Sequence, residues 1–313
     1  MDNSASENFP SRTGPFPQEA GILEFLKICD AFYPPDAVDA SIKQQRAWYD
    51  ALCARFDRPL PAGLTFQDEM LFVPIRRYRP ANIRTQTMLL YLHGGGFVVG
   101  SLQSHHAICA EIADFSGTEL MCVDYRLAPE HVWPAQSDDC FAVLKQLLGA
   151  SRKIVLIGDS AGGNLAAGLA LRSRDEGLSG VIGQVLIYPG LGGDLVSGSY
   201  QDMAHAPGLT TADVAYYRAI LRAPEDEPVA HPLLAADFSG LPPAYVTVAH
   251  FDPLRDDGRL YAERLRAAGV AVTFREEPQM VHAWLRARHM SAGAGEGFAA
   301  LCEAVSRLAG SRP

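Results

Sequence analysis

A chain of 313 residues, 48% of them hydrophobic, can bury one large α/β domain with an appendage, or two smaller domains. The formal net charge is −9, which argues against nucleic acid as a partner, because phosphates need a basic surface. No apolar run reaches the roughly eighteen residues of a transmembrane helix, so no membrane association is expected.

The polar stretch Met1 to Gln18 lacks the charged start and apolar core of a secretory signal. It reads as a loose leader, and the protein as cytoplasmic. From Gln18 to Phe56 the pattern is helical. Ile22, Phe25, Leu26 and Cys29 share one face, Pro34-Pro35 interrupts, and a second helix runs from about Val38 to Phe56. With no strand in it, this region reads as a small helical cap. Pro59 and Pro61 end it.

Short apolar strands then alternate with amphipathic helices. Strands are expected at Leu71–Tyr78, Met88–Leu92, Leu120–Val123, Ile154–Ile157, Val185–Tyr188, Ala244–Ala249 and Val272–Phe274. Helices are expected near His105–Ser116, Ser137–Leu148, Gly163–Arg174, Gly258–Ala268 and Glu296–Leu308. The fold class is therefore α/β, with a mostly parallel sheet covered on both faces. Arg76-Arg77-Tyr78-Arg79 is the densest basic cluster and reads as the solvated face or end of a strand. Gly190 to Pro228 breaks the alternation. It opens on Gly192-Gly193, read as flexible, carries a helix from about Thr211 to Leu221, and is placed to cover a pocket. The six cysteines form no C-x-x-C pair and read as free thiols in apolar surroundings, with no structural zinc.

Gly158-Asp159-Ser160-Ala161-Gly162 lies between the apolar run Lys153–Ile157 and a helix start. Strand, sharp Gly-x-Ser-x-Gly turn and helix make a nucleophile elbow, which lifts the Ser160 hydroxyl clear of the sheet. A serine needs a base, and the base an orienting partner. In such sheets functional residues gather at the carboxyl ends of strands. Asp252 lies just past the strand Ala244–Ala249, and His282 follows the last strand. The order Ser160, Asp252, His282 fits this fold. Asp256 and Asp257 read instead as an N-cap and a first-turn acid. His205, His231, His250 and His289 read as surface or packing residues. The tetrahedral intermediate also needs backbone donors for its oxyanion. Ala161 supplies one, and the glycine loop after Leu92 should supply the others.

His93-Gly94-Gly95-Gly96-Phe97, Tyr125-Arg126-Leu127-Ala128-Pro129-Glu130, Gly158 to Asn164 and Asp252-Pro253-Leu254-Arg255-Asp256, with His282 at the end, together resemble the hormone-sensitive-lipase-like family of α/β-hydrolases. These are carboxylesterases with an HGGG motif. The resemblance implies an α/β-hydrolase fold with Ser160 as nucleophile, His282 as base and Asp252 as its partner. It implies an oxyanion hole of the Gly95, Gly96 and Ala161 N–H groups. It also implies a cap built from residues 1–60 and 190–228 over a catalytic domain of residues 61–189 and 229–313. Two departures stand out. Ala283-Trp284 follow His282 where the family usually has glycine and an aromatic, and Gln279 stands where glycine is common. The Tyr125–Glu130 run reads as a brace for the glycine loop, without chemistry of its own.

The expected reaction is hydrolysis of small-molecule, short-chain acyl esters through an acyl-enzyme, with no metal or organic cofactor. The alternatives are amide, carbamate or lactone hydrolysis, or a non-catalytic receptor on the same fold. A homodimer through an exposed strand near the C-terminus is a further option.

Overall fold

The computed structural model describes residues 16–32, 37, 40–150 and 152–311. Most of the expected leader, the Pro34-Pro35 break and Val38 lie outside the described residues. Two N-terminal helices come first, α1 (Ala20–Phe32) and α2 (Ile42–Arg55), the second capped by Ser41, which accepts from the Gln44 N–H. The strands are β1 (Thr65–Met70), β2 (Pro74–Arg79), β3 (Met88–Leu92), β4 (Glu119–Val123), β5 (Ile154–Asp159), β6 (Val181–Ile187), β7 (Ala244–Phe251) and β8 (Val272–Val281). They form a sheet of order β1-β2-β4-β3-β5-β6-β7-β8. β2 runs antiparallel to β1 and β4, and the pairs from β4 through β8 are parallel.

The helices between strands are α3 (His106–Ser116), α4 (Ala135–Gly149), α5 (Ala161–Asp175), α6 (Ser199–Asp202), α7 (Thr211–Leu221) and α8 (Arg255–Ala267), with α9 (Ala292–Ala309) last. Alternation along the strands sorts their side chains onto two cores. Leu89, Tyr91, Val155 and Ile157 pack with Ile108, Ile112, Leu301 and Val305 on one face. Leu90, Leu92, Leu156 and Leu186 pack with Phe141, Leu144, Leu169 and Leu265 on the other. Both faces of a parallel sheet are thereby buried.

Several expectations need correction. The strand anticipated at Leu71–Tyr78 starts at Pro74, because Leu71 reverses the chain by donating to Val73 O at 3.1 Å. β1, which was not anticipated, pairs back onto it. Arg76 is not solvated: it is 9% exposed and forks onto Asp68, its cross-strand partner, at 2.6 and 2.9 Å. α8 begins at Arg255, with Leu254 rather than Asp256 in the cap position. The Gly192-Gly193 segment is a pinned turn and not a flexible one. The Leu191 and Gly193 N–H groups both donate to the buried Asp257 carboxyl, at 2.6 and 3.3 Å. All six cysteines are free thiols.

Candidate active site

β5 delivers the chain into the elbow, and there Ser160 takes φ 54°, ψ −118°. This region is rarely open to an L-residue. The turn survives because its flanks lack side chains. A Cβ on Gly158 would lie 2.1 Å from Gly162 O, and one on Gly162 would lie 1.9 Å from Leu92 O. Ser160 N–H donates to Ile187 O at 2.9 Å, which ties the elbow to β6.

Asp252 sits one residue past β7 and is fully buried. Its Oδ1 accepts the Leu254 N–H at 2.9 Å, and its Oδ2 stands 2.7 Å from His282 Nδ1. A carboxylate can only accept, so Nδ1 carries the proton. Nε2 is left to accept from the Ser160 hydroxyl, 2.9 Å away. The Tyr188 ring packs on the imidazole with centroids 4.8 Å apart. The structure thus brings together all three side chains singled out in the sequence.

The glycine loop after β3 faces the same point. Gly95 and Gly96 adopt φ 124° and 59°, and their N–H groups meet no protein acceptor among the described residues. The Ala161 N–H opens α5, ahead of the intrahelical ladder. The loop is held from several sides. Gly94 N–H donates to Asp159 Oδ1 at 3.0 Å, and the Tyr125 hydroxyl to His93 O at 2.7 Å. The His93 ring lies flat on Tyr125, centroids 4.3 Å apart. Tyr125 is therefore the brace read from the sequence. Glu130 extends it: Arg46 on α2 forks onto Glu130 at 2.9 and 2.7 Å and donates to Val98 O and Ala128 O.

Asp159 has a role the sequence reading missed, as the variable residue inside the motif. Its carboxyl accepts from Tyr91 at 2.9 Å and from Gly94, and it lies 3.3 Å from His105 Nε2. Burial would raise its pKa, but the charge and hydrogen bond of His105, with Arg286 and Tyr91, hold it below the usual carboxylate range. Burial, with His105 beside it, pushes His93 down to about 3.

A cavity of about 710 Å³ opens over Ser160. Phe25 of α1, Tyr49 of α2 and Tyr217 of α7 line it, Tyr217 against Gly96 of the glycine loop. His205 and His231 also line it, which the sequence did not suggest. His250 pairs with Glu276 at 2.7 Å and His289 with Glu111 at 2.9 Å, away from the cavity. Among the described residues no group of three or more His, Cys, Asp or Glu is placed to hold a metal ion.

Sheet order, elbow and the Asp–His–Ser line define an α/β hydrolase. A family model described as the alpha/beta hydrolase fold matches residues 89–286. Carboxylesterase NlhH of Mycobacterium tuberculosis is 40% identical over 76% of this chain and 80% of its own length. The ethyl acetate hydrolase of Pseudomonas putida is 34% identical over 75% of this chain and 78% of its own. The structure of ester-hydrolase EH1AB1, from the metagenome of Lake Arreo, superposes with a TM-score of 0.84 at 30% identity, covering 93% of this chain and 98% of that one. The chain belongs to the hormone-sensitive-lipase-like family of α/β hydrolases, and it is a carboxylic ester hydrolase. The receptor alternative is not favoured.

Proposed function

We propose that Ser160 is the nucleophile, His282 its general base and Asp252 the residue that orients the imidazole. The uninterrupted hydrogen-bond line from Asp252 through His282 to Ser160 carries this reading. Ser160 Oγ attacks the ester carbonyl as Nε2 takes its proton. The Gly95, Gly96 and Ala161 N–H groups receive the negative charge that develops on the carbonyl oxygen. Collapse expels the alcohol, which takes the proton from Nε2. Water, deprotonated by the same nitrogen, then releases the acid and restores Ser160.

The substrates are short-chain acyl esters. A half-open cavity of about 710 Å³ lined in part by helices has room for a small acyl group and a modest alcohol. A relative named for ethyl acetate points the same way. Residues 1–60 and 190–228 act as the cap, because α1, α2 and α7 contribute lining residues to the cavity that holds Ser160. The catalytic domain is then residues 61–189 and 229–313. Six free thiols fit a reducing, cytoplasmic compartment.

Ser160→Ala should lower turnover of p-nitrophenyl acetate by about 10⁶, by analogy with other serine triads, and abolish labelling by a fluorophosphonate. A tenth of wild-type activity in that variant would remove Ser160 from the role. Faster hydrolysis of p-nitrophenyl laurate or palmitate than of the butyrate would overturn the short-chain assignment.

A further inference from the structure

The turn that follows His282 carries a cation into the cavity wall. Trp284–Ala287 form a 3₁₀ turn, and Arg286 extends from it toward α2. Arg286 is 5% exposed. Its Nε donates to Cys53 Sγ at 3.2 Å and its Nη2 to the Tyr49 hydroxyl at 2.7 Å. The guanidinium carbon stands 5.1 Å from the centre of the Tyr49 ring.

Neither partner is an anion. Burial pushes the Cys53 thiol up, and a phenol is an uncharged acceptor at neutral pH. Among the described residues no carboxylate lies within 4.0 Å of Arg286, whereas Arg288, two residues on, is clamped to Glu111 at 2.5 Å. A buried charge without a counter-ion is costly, and proteins ordinarily pair it. Asp159, which feels the Arg286 charge, is already engaged by Tyr91, Gly94 and His105.

One nitrogen remains. Arg286 Nη1 meets no protein acceptor among the described residues, yet it is absent from the atoms sealed off from solvent, and Arg286 lines the cavity. Nη1 is therefore not sealed off, and its residue lines the same cavity as Ser160. Other charges on the same wall have work of their own. Asp213 completes the capping box of α7, and Arg218 donates to Gly193 O and the Tyr200 hydroxyl. Asp30 also has interactions of its own.

We propose that Arg286 binds a carboxylate carried by the substrate, so that the natural esters are anionic: half-esters of dicarboxylic acids, or acyl esters of hydroxy acids. The proposal rests on the ester-hydrolysing site described above. A guanidinium with an unpaired donor can take a carboxylate oxygen in a charge-assisted hydrogen bond. The bound anion would also give Arg286 a direct ion pair, where Asp159 acts on it only through space.

Two matched pairs of esters test it. The p-nitrophenyl half-ester of glutarate against p-nitrophenyl valerate puts the carboxylate on the acyl side. O-Butyrylglycolate against ethyl butyrate puts it on the alcohol side. In at least one pair the wild-type protein should prefer the anion in kcat/KM. That preference should fall roughly tenfold to a hundredfold in Arg286→Gln and recover in part in Arg286→Lys. The ratio is taken within each protein, so a general loss from disturbed α2 packing cancels. Should the variants fail to fold, glutaramate should inhibit the wild-type protein about tenfold more tightly than the neutral glutaramide. No anion preference in either pair, a ratio unchanged in Arg286→Gln, or equal inhibition by glutaramate and glutaramide would overturn the proposal. Failure of the wild-type protein on the neutral esters as well would instead sink the ester-hydrolase site and this subsite with it.

Discussion

Asp159 Oδ1 accepts the Gly94 N–H at 3.0 Å, and so joins the elbow to the loop that carries the proposed oxyanion donors. The residue before the nucleophile thereby sets where Gly95 and Gly96 point. In Asp159→Ala the loop loses this anchor while Tyr91 and His105 lose an acceptor. The expected result is a kcat lower by roughly tenfold to a hundredfold with little change in KM, because oxyanion donors act mainly in the transition state. Breaking a buried charged network should also cost about 3 kcal/mol of stability. An unchanged kcat would show that the loop holds its shape without Asp159.

His93 gives the fold a dependence on acid. The folded value is depressed to about 3, so its contribution to stability is complete above the unfolded value, near pH 6.5, and drains away as the pH falls toward 3. Protonation would set a charge on a fully buried ring whose Nε2 has no partner. This residue alone should remove ~2 kcal/mol by pH 5. Urea midpoints at several pH values measure it. His93→Asn, which keeps a donor toward Gly94 O, should give a shallower slope between about pH 6.5 and 5. Parallel slopes would contradict the assignment.

How much of this was legible in the sequence depends on what each residue buries. The elbow and the α7 helix were plain, because glycines and a 3.6-residue period leave marks. β1 was invisible: in Thr65-Phe66-Gln67-Asp68-Glu69-Met70 five of six residues are exposed, so no apolar alternation exists to find. β8 was cut short at Phe274 because Arg275, Glu276, Glu277 and Pro278 sit on an edge strand that tolerates charge and proline. Asp159 and Arg286 were missed for another reason. Their meaning lies in partners 65 and 237 residues away in sequence, and no local pattern encodes such distances.

The elbow glycines should be intolerant of a single methyl group. A Cβ on Gly162 would lie 1.9 Å from Leu92 O, a backbone atom held within the sheet. Gly162→Ala should therefore cost more than about 4 kcal/mol or prevent soluble expression. Gly149, the last residue of α4, has nothing within 4 Å of its virtual Cβ. Gly149→Ala should be neutral or stabilise by roughly 0.5–1 kcal/mol. Thermal melts of the two side by side separate steric exclusion from a general dislike of substitution. A well-folded Gly162→Ala protein would refute the close approach.

Ala283, where the family resemblance leads one to expect glycine, occupies the left-handed region at φ 63°, ψ 21°. A side chain there costs about 1–2 kcal/mol in backbone strain, while glycine would forfeit roughly 0.4–1 kcal/mol through the greater freedom of the unfolded chain. The balance predicts that Ala283→Gly stabilises by about 0.5–1 kcal/mol. The strain is retained beside His282, and the methyl group lines the cavity. Its removal should therefore ease entry of bulkier esters, seen as a lower KM for a branched-alcohol butyrate than in the wild-type protein. Ala283→Val should go the other way, since a β-branched residue at positive φ is a severe outlier, with a loss of at least ~2 kcal/mol. Denaturant melts of both variants decide the matter: an Ala283→Val protein as stable as the wild type would mean that this turn does not hold the backbone angle assigned to it.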